Sequence, residues 1–192
     1  MIQELVEFGK RVTKGKSRAL KEETYSIVLV IDEEGNFQEF RPIEGSIETA
    51  LVTEHNNSSK KPMGTITAKQ GHARFLLDKC EEVLGVGEES PKKHNRFMQV
   101  LERYRGVSAL EPIFAFYEKN KENGLNKAIS EFDKFKKDVN ITFMVESSLL
   151  LKNEDVQNAI IKLYEDDEKR LNTGKICSIC GTSDRPVLDE PH

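Results

Sequence analysis

The chain has 192 residues and a formal net charge of −4 at pH 7, with 33 acidic and 29 basic side chains. A slightly acidic chain is not a bulk binder of polyanions, so any nucleic-acid surface on it must be local. Apolar residues make up 37% of the sequence, which is enough to build a core and excludes wholesale disorder. The length suits one domain or two small ones.

The composition also favours a reducing compartment and no membrane. The three cysteines are too few for a disulfide scaffold, and residues 1–7 carry two acids and no cation, unlike a secretory signal. The longest apolar run, at residues 27–31, is far too short to span a bilayer. We therefore expect a cytoplasmic protein without a membrane partner.

The first half of the chain predicts a helix and a β-hairpin. Apolar residues between Ile2 and Val12 recur at helical spacing. Residues 25–31 are apolar and β-branched, and Asp32 and Gly35 supply turn chemistry before a short partner strand at 37–41. Residues 50–53 are a candidate third strand.

The second half predicts mostly helices. Helical spacing occurs at 75–84, after Ser90 and Ser108, at 125–135 and after Asn153, and Ser108 with Glu111 matches a capping box. Residues 141–145 predict a strand, and 149–151 fit either a short partner strand or an irregular link. The predicted class is α+β: a small antiparallel hairpin or sheet with an amino-terminal helix, followed by a mainly helical region.

This pattern divides the chain into two regions. Residues 1–74 hold the helix, the hairpin and a basic loop at 55–74, and residues 75–192 are mainly helical with a short strand and a terminal Cys-x-x-Cys turn. We expect the two regions to form one compact domain.

Signatures of catalysis are missing from the sequence. It contains no phosphate-binding loop, no dinucleotide glycine pattern and no nucleophile elbow. His94 lies among basic residues and predicts a solvated face, and the pair Glu81 and Glu82 predicts a charged helix face. Cys80 has the spacing of a buried core residue. We expect a protein that is not an enzyme and needs no cofactor.

Cys177 and Cys180 form a Cys-x-x-Cys, which is half of a structural zinc site. Only His192 is near enough in sequence to add a third ligand. Two reduced cysteines in a tight turn explain the pattern more simply, so no metal site is assigned. A small zinc-binding module stays open as an alternative.

The stretch from His55 to Arg74 contains no acidic residue, which is unusual in an acidic chain. Its lysines and arginine can meet phosphates, and its amides and hydroxyls can donate to bases or backbone oxygens. The candidate nucleic-acid contacts are Asn56, Asn57, Ser58, Ser59, Lys60, Lys61, Lys69, Gln70 and Arg74. A solvated surface loop rich in turn residues is the competing interpretation.

Several ordered segments resemble the large subunit of the type I-C CRISPR Cascade complex. Residues 31–35 resemble its V-I-D-x-x-G hairpin, and residues 75–86 resemble its LLxDNAxYVLG segment. His94 to Phe97 resembles its RHxAF helix, and residues 58–62 resemble a basic loop that ends in proline. The chain departs from the pattern at Lys79 and at Glu82, where the family has asparagine and an aromatic residue.

The resemblance implies a role in antiviral defence. It suggests the amino-terminal part of a large subunit that recognises the protospacer-adjacent motif in duplex DNA, beside crRNA-containing Cascade subunits. A helicase–nuclease that is recruited later cuts the target. This fits a general division of labour in which protein reads a short duplex motif and base pairing reads the rest. A structural docking domain of the same complex, making protein–protein contacts, is the alternative.

Overall fold

The computed structural model describes residues 19–50, 73–87, 90–132 and 139–172, with side chains described as far as residue 167. The predicted amino-terminal helix, the basic stretch up to His72, and the Cys-x-x-Cys lie outside the described residues. The same holds for most of the candidate third strand at 50–53.

The described strands form two sheets. They are β1 (Leu20–Tyr25), β2 (Ile27–Ile31), β3 (Phe37–Arg41), β4 (Gly45–Ala50), β5 (Leu77–Lys79), β6 (Asn140–Val145) and β7 (Ser148–Leu149). β1 pairs antiparallel with β4, while the other five form a sheet in the order β3-β2-β6-β5, with β7 also paired to β6. Helices complete the fold, so the predicted α+β class is confirmed.

The β2–β3 hairpin follows the sequence prediction closely. Every residue of β2 is buried, and Val28 to Val30 pair with Glu39 to Arg41. In the turn, the Asp32 carboxylate accepts hydrogen bonds from the Asn36 N–H at 2.8 Å and from the Asn36 side chain at 3.0 Å. Local turn chemistry and a buried apolar run therefore agree on the same hairpin.

The sheet is mixed rather than purely antiparallel. β6, which the sequence predicted as a strand, runs parallel to β2 from the Ile27–Ile141 pair to the Ile31–Val145 pair. The chain returns to the sheet through the intervening helices, as parallel pairing requires. The five-stranded sheet thus contains strands from both regions, 1–74 and 75–192.

The described helical segments are short apart from two. They comprise α1 (Cys80–Val83), α2 (Ser90–Glu102), a 3₁₀ turn (Ser108–Leu110), α3 (Glu111–Phe114), two π-helical segments (Ala115–Lys119 and Glu122–Asn126), α4 (Lys127–Phe132), a second 3₁₀ turn (Leu150–Lys152) and α5 (Glu154–Asn172). The Asn153 side chain caps α5 by accepting from the N–H groups of Asp155 and Val156 at 2.9 and 3.3 Å. Both alternatives for 149–151 occur, since a strand ends at Leu149 and the 3₁₀ turn follows.

The predicted helix over 75–84 is wrong for most of its length. Phe75, Leu76 and Leu77 are almost completely buried, and Leu77–Lys79 is a strand that pairs antiparallel with β6. Leu76 has a φ of 53°, which breaks any helix at that point. A short apolar run is ambiguous between strand and helix, and pairing with a distant strand decided it here. Only α1 is helical.

Two further helix details differ from the predictions. The Ser108 side chain makes no capping hydrogen bond, because a 3₁₀ turn precedes α3. The helix predicted from residue 125 begins as the π-helical segment Glu122–Asn126, and α4 itself covers Lys127–Phe132 within the described residues. Cys80 is buried in the core as expected.

The hairpin turn is locked against the π-helical segments. Gly35 has a φ of +83°, and a Cβ there would collide with the backbone of Pro112, Ala115 and Phe116. A Cβ on Gly124 would lie 2.8 Å from the Gly35 carbonyl oxygen. Two glycines that face each other therefore allow the turn and the helical layer to touch through their backbones.

Candidate nucleic-acid interface

Most of the predicted nucleic-acid contacts lie outside the described residues. This applies to Asn56, Asn57, Ser58, Ser59, Lys60, Lys61, Lys69 and Gln70. Arg74 is the member of the set that the structure describes. The geometry of the candidate interface is therefore that of the residues that flank segment 51–72.

The described residues on either side of segment 51–72 meet at one place in the fold. The Thr49 hydroxyl, near the end of β4, donates a 2.6 Å hydrogen bond to the Phe75 carbonyl oxygen. Ala50 and Ala73, which flank the segment, are both buried. The Thr49–Phe75 hydrogen bond therefore holds the end of β4 against the residues that precede β5.

Arg74, which precedes Phe75, is held in place by hydrogen bonds that its backbone and its guanidinium donate. Its N–H donates to Asp78 Oδ2 at 2.6 Å. Its guanidinium donates to Glu23 Oε2 at 3.1 Å, to Asp78 Oδ1 at 3.3 Å and to Asn140 Oδ1 at 3.2 Å. We call Glu23, Thr49, Arg74, Asp78 and Asn140 the loop base.

The loop base links four strands. Glu23 comes from β1, Thr49 from β4, Asp78 from β5 and Asn140 from β6. The Asn140 side chain also donates to the Thr24 carbonyl oxygen at 2.9 Å, which joins the two sheets. The Arg74 side chain is only 19% exposed, so its guanidinium mainly contacts groups of the protein itself. A direct contact between Arg74 and DNA stays a prediction.

The acidic partners of Arg74 have opposite pKa shifts. Burial raises the pKa of Asp78, and the Arg74 guanidinium offsets that effect only in part. The pKa of Glu23 is lowered, first by a hydrogen bond from Lys21 and also by the charge of Arg74, because Glu23 is far more exposed. The buried position of Asp78 therefore depends on the Arg74 charge and its hydrogen bonds.

Glu82 follows Asp78 by four residues, on α1, and is a second acidic residue of this region that is partly buried. Burial and the nearby Asp78 charge raise the pKa of Glu82. Within the described part of the chain, its Oε2 atom is buried without a hydrogen-bond partner. The prediction of a charged helix face holds for Glu81, which forms an ion pair with Lys93, but not for Glu82, whose carboxylate is partly buried.

His94 also differs from the prediction of a solvated face. Its Nδ1–H donates to the Glu82 carbonyl oxygen at 2.7 Å, and its ring lies 5.6 Å from that of Tyr117. The Tyr117 hydroxyl in turn donates to the Val83 carbonyl oxygen at 2.8 Å. His94 therefore helps to hold α2 against α1 and against the π-helical segment Ala115–Lys119, which contains Tyr117.

Sequence reasoning missed four of the five residues of the loop base. Arg74 and Asp78 stand four residues apart, a spacing that suggests a pair, but Asp78 lies inside an apolar run that looked helical. Glu23 and Asn140 are 51 and 66 residues away from Arg74. Only the strand pairing brings these two residues to the same point.

The described residues contain no group of three or more His, Cys, Asp or Glu side chains that could hold a metal ion. Cys177, Cys180 and His192 lie outside the described residues, so the zinc alternative stays untested. Among the described helices, none is long and apolar enough to cross a membrane.

Comparison with known proteins identifies the family of the chain. A search of curated proteins finds no match to the chain. The model of the family described as CRISPR-associated protein (Cas_Csd1) matches residues 5–190, which is nearly the whole sequence. This match confirms the CRISPR association that the sequence motifs suggested. The chain belongs to the CRISPR-associated Cas_Csd1 family.

Proposed function

We propose that this chain is a non-catalytic DNA-binding component of a crRNA-guided type I-C CRISPR interference complex. In this proposal it corresponds to the amino-terminal part of the large subunit and recognises the protospacer-adjacent motif in duplex DNA. Residues 55–74 contact the duplex, next to crRNA-containing subunits, and a helicase–nuclease is recruited afterwards. Membership of a CRISPR-associated family is consistent with this role.

The observation that carries the proposal is the loop base. A stretch of 20 residues without an acidic side chain (55–74) ends in Arg74, which donates hydrogen bonds to residues of β1, β5 and β6. The Thr49 hydroxyl and the Phe75 carbonyl oxygen are hydrogen-bonded to each other, so the described residues on either side of segment 51–72 are fixed on a sheet. Recognition elements work best when a rigid scaffold positions them.

The residue types in the stretch suit a short duplex motif. Lys60 and Lys61 supply charge for phosphates, while Asn56, Asn57 and Gln70 supply the amide groups that read base edges. Phosphate contacts give affinity and register, and amide contacts give sequence preference. The chain needs no catalytic group for this work, because cutting belongs to another protein.

The test combines four substitutions, Asn56→Ala, Asn57→Ala, Lys60→Ala and Lys61→Ala, in the full chain co-expressed with the other complex subunits. We expect the variant complex to assemble but to lose binding to target duplexes. Binding is measured on a set of duplexes that differ only in the sequence beside the target. The matched control changes four exposed residues to Ala and removes the same charge. These residues are Asn123, Asn158, Lys119 and Lys121. Unchanged duplex affinity at fixed salt in the first variant would contradict the proposal.

Docking on a neighbouring subunit, the alternative, gives the opposite pattern in the same experiment. The variant would then fail to assemble, whereas duplex affinity of the isolated chain would be unchanged. Duplex binding by the isolated chain that falls steeply with salt supports phosphate contacts.

A further inference from the structure

A groove of about 470 Å³ opens where the parallel strands β2 and β6 end. Glu146 directly follows β6, and its N–H donates to the Ile31 carbonyl oxygen at the end of β2 at 2.9 Å. The carboxyl ends of parallel strands are where separate loops converge and where ligands commonly bind in open sheets. This end of the sheet is distinct from the loop base, whose residue on β6, Asn140, is the first of that strand.

Apolar side chains provide part of the groove lining. They come from both 3₁₀ turns, α3, β6 and β7, and are Ala109, Pro112, Val145, Leu149 and Leu150. Leu150 is buried, and the others are partly exposed. A partner that brought its own apolar side chain would cover surface that solvent now reaches.

Three glutamates from three separate elements also line the groove. Glu33 belongs to the β2–β3 turn, Glu111 begins α3, and Glu146 follows β6. All three are exposed, and none forms an ion pair within the residues described by the structure. We call this surface the acidic groove.

We propose that the acidic groove binds a basic segment of a partner protein. Lysine or arginine side chains meet the carboxylates of Glu33, Glu111 and Glu146, and an apolar residue between them covers Pro112 and Leu149. Charge complementarity selects this occupant: a nucleic acid is repelled by the carboxylates. The three glutamates also do not form a set of ligands for one metal ion in the described chain.

The proposal rests on the proposed function only in that the chain works inside a multi-protein assembly. Rim charges of this kind mainly accelerate association and choose between partners, whereas the apolar contact slows dissociation. The groove therefore recognises a protein and the loop base presents the DNA contact, on opposite ends of the same parallel strand pair.

The test measures binding of a short labelled peptide of alternating leucine and arginine to the full chain by fluorescence anisotropy. A peptide of alternating serine and arginine is the comparison probe. In the variant Glu33→Gln, Glu111→Gln, Glu146→Gln, we expect affinity for the leucine peptide to fall roughly tenfold, because each exposed ion pair is weak and three are lost. Serine in place of leucine is expected to weaken binding to the native chain several-fold.

The matched control is Glu44→Gln, Glu122→Gln, Glu165→Gln, which removes the same charge from exposed positions outside the groove. Equal loss in both variants, equal affinity for both peptides, or no binding of the leucine peptide to the native chain would each overturn the proposal. Duplex DNA binding is measured on the same proteins. Retained peptide binding without DNA binding would contradict the proposed function alone.

Discussion

Charged side chains gather at two ends of the same pair of parallel strands, and the two clusters differ in how their charges are balanced. At the loop base, Arg74 is surrounded by Glu23, Asp78 and Asn140 and is mostly buried. In the acidic groove, Glu33 and the other two carboxylates face solvent with no ion pair in the described chain.

The difference separates structural charge from charge that is available to a partner. Removing a member of a buried pair leaves an uncompensated charge in a poorly solvated place, which is strongly destabilising. Neutralising an exposed like-charged group removes only weak repulsion. The loop base should therefore respond to mutation through stability, whereas the acidic groove should respond through binding.

The largest effect is expected for Arg74→Ala, which leaves Asp78 buried without its cation. We expect the free energy of unfolding to fall by about 3 kcal/mol at neutral pH. Urea denaturation followed by circular dichroism measures this change. The control, Arg41→Ala, breaks a solvent-exposed pair with Glu39 and should lose less than about 1 kcal/mol. Similar losses in the two variants would show that the loop base is not a buried network.

A second prediction separates positioning from phosphate contact. Arg74→Lys keeps the charge but lacks the planar fork that reaches Glu23, Asp78 and Asn140 together. We expect duplex affinity to fall a few-fold with an unchanged dependence on salt. Lys60→Ala should instead reduce the slope of log affinity against log salt by about 0.9, the value for one lost phosphate contact.

The salt dependence of Arg74→Lys could contradict the positioning role. A salt slope that falls as much for Arg74→Lys as for Lys60→Ala would mean that the guanidinium itself meets a phosphate. Binding titrations at several salt concentrations distinguish the two slopes. The structure favours the positioning role because three hydrogen bonds already engage the guanidinium.

A third prediction concerns pH. Burial raises the pKa of Asp78 and of Glu82 above their ordinary values of 3.8 and 4.5. The folded chain then binds more protons than the unfolded chain in the window just above these values, so their contribution to stability is full below the window and falls as pH rises through it. Asp32, whose pKa is lowered through hydrogen bonds from Asn36, contributes with the opposite sign.

Glu82→Gln tests the sign directly. The variant should be more stable than the native chain at neutral pH, because a half-buried charge beside Asp78 is gone, and its stability should fall less as pH rises through the window. Denaturation at a series of pH values measures both effects. Glu81→Gln is the control, since Glu81 has an ion-pair partner, Lys93. A native-like pH profile for Glu82→Gln would contradict the assignment.

The parts of the fold that could be predicted from sequence are those decided locally. The hairpin formed as expected because Asp32 and Gly35 set the turn and β2 is apolar throughout. The stretch from Phe75 was predicted as a helix because its apolar spacing fits one, but β6 supplied a strand partner that no local pattern reveals.

The candidate site divides in the same way. The acid-free stretch that ends at Arg74 is visible in the sequence, whereas two of the three residues that accept its hydrogen bonds, Glu23 and Asn140, lie 51 and 66 residues away. The acidic groove is equally non-local, since Glu33, Glu111 and Glu146 belong to a turn, a helix and a strand end. Chemistry of single residues can be inferred early, but which residues meet depends on the sheet.

The smallest expected effect is on stability in the acidic groove. The variant Glu33→Gln, Glu111→Gln, Glu146→Gln should change the free energy of unfolding by less than about 0.5 kcal/mol, with a slight gain from reduced repulsion. Thermal unfolding at low salt measures the change most sensitively, because salt screens exposed charges. A loss near that of Arg74→Ala would mean that these carboxylates support the fold. A near-zero change in the free energy of unfolding together with lost peptide binding would show that these carboxylates serve binding and not the stability of the fold.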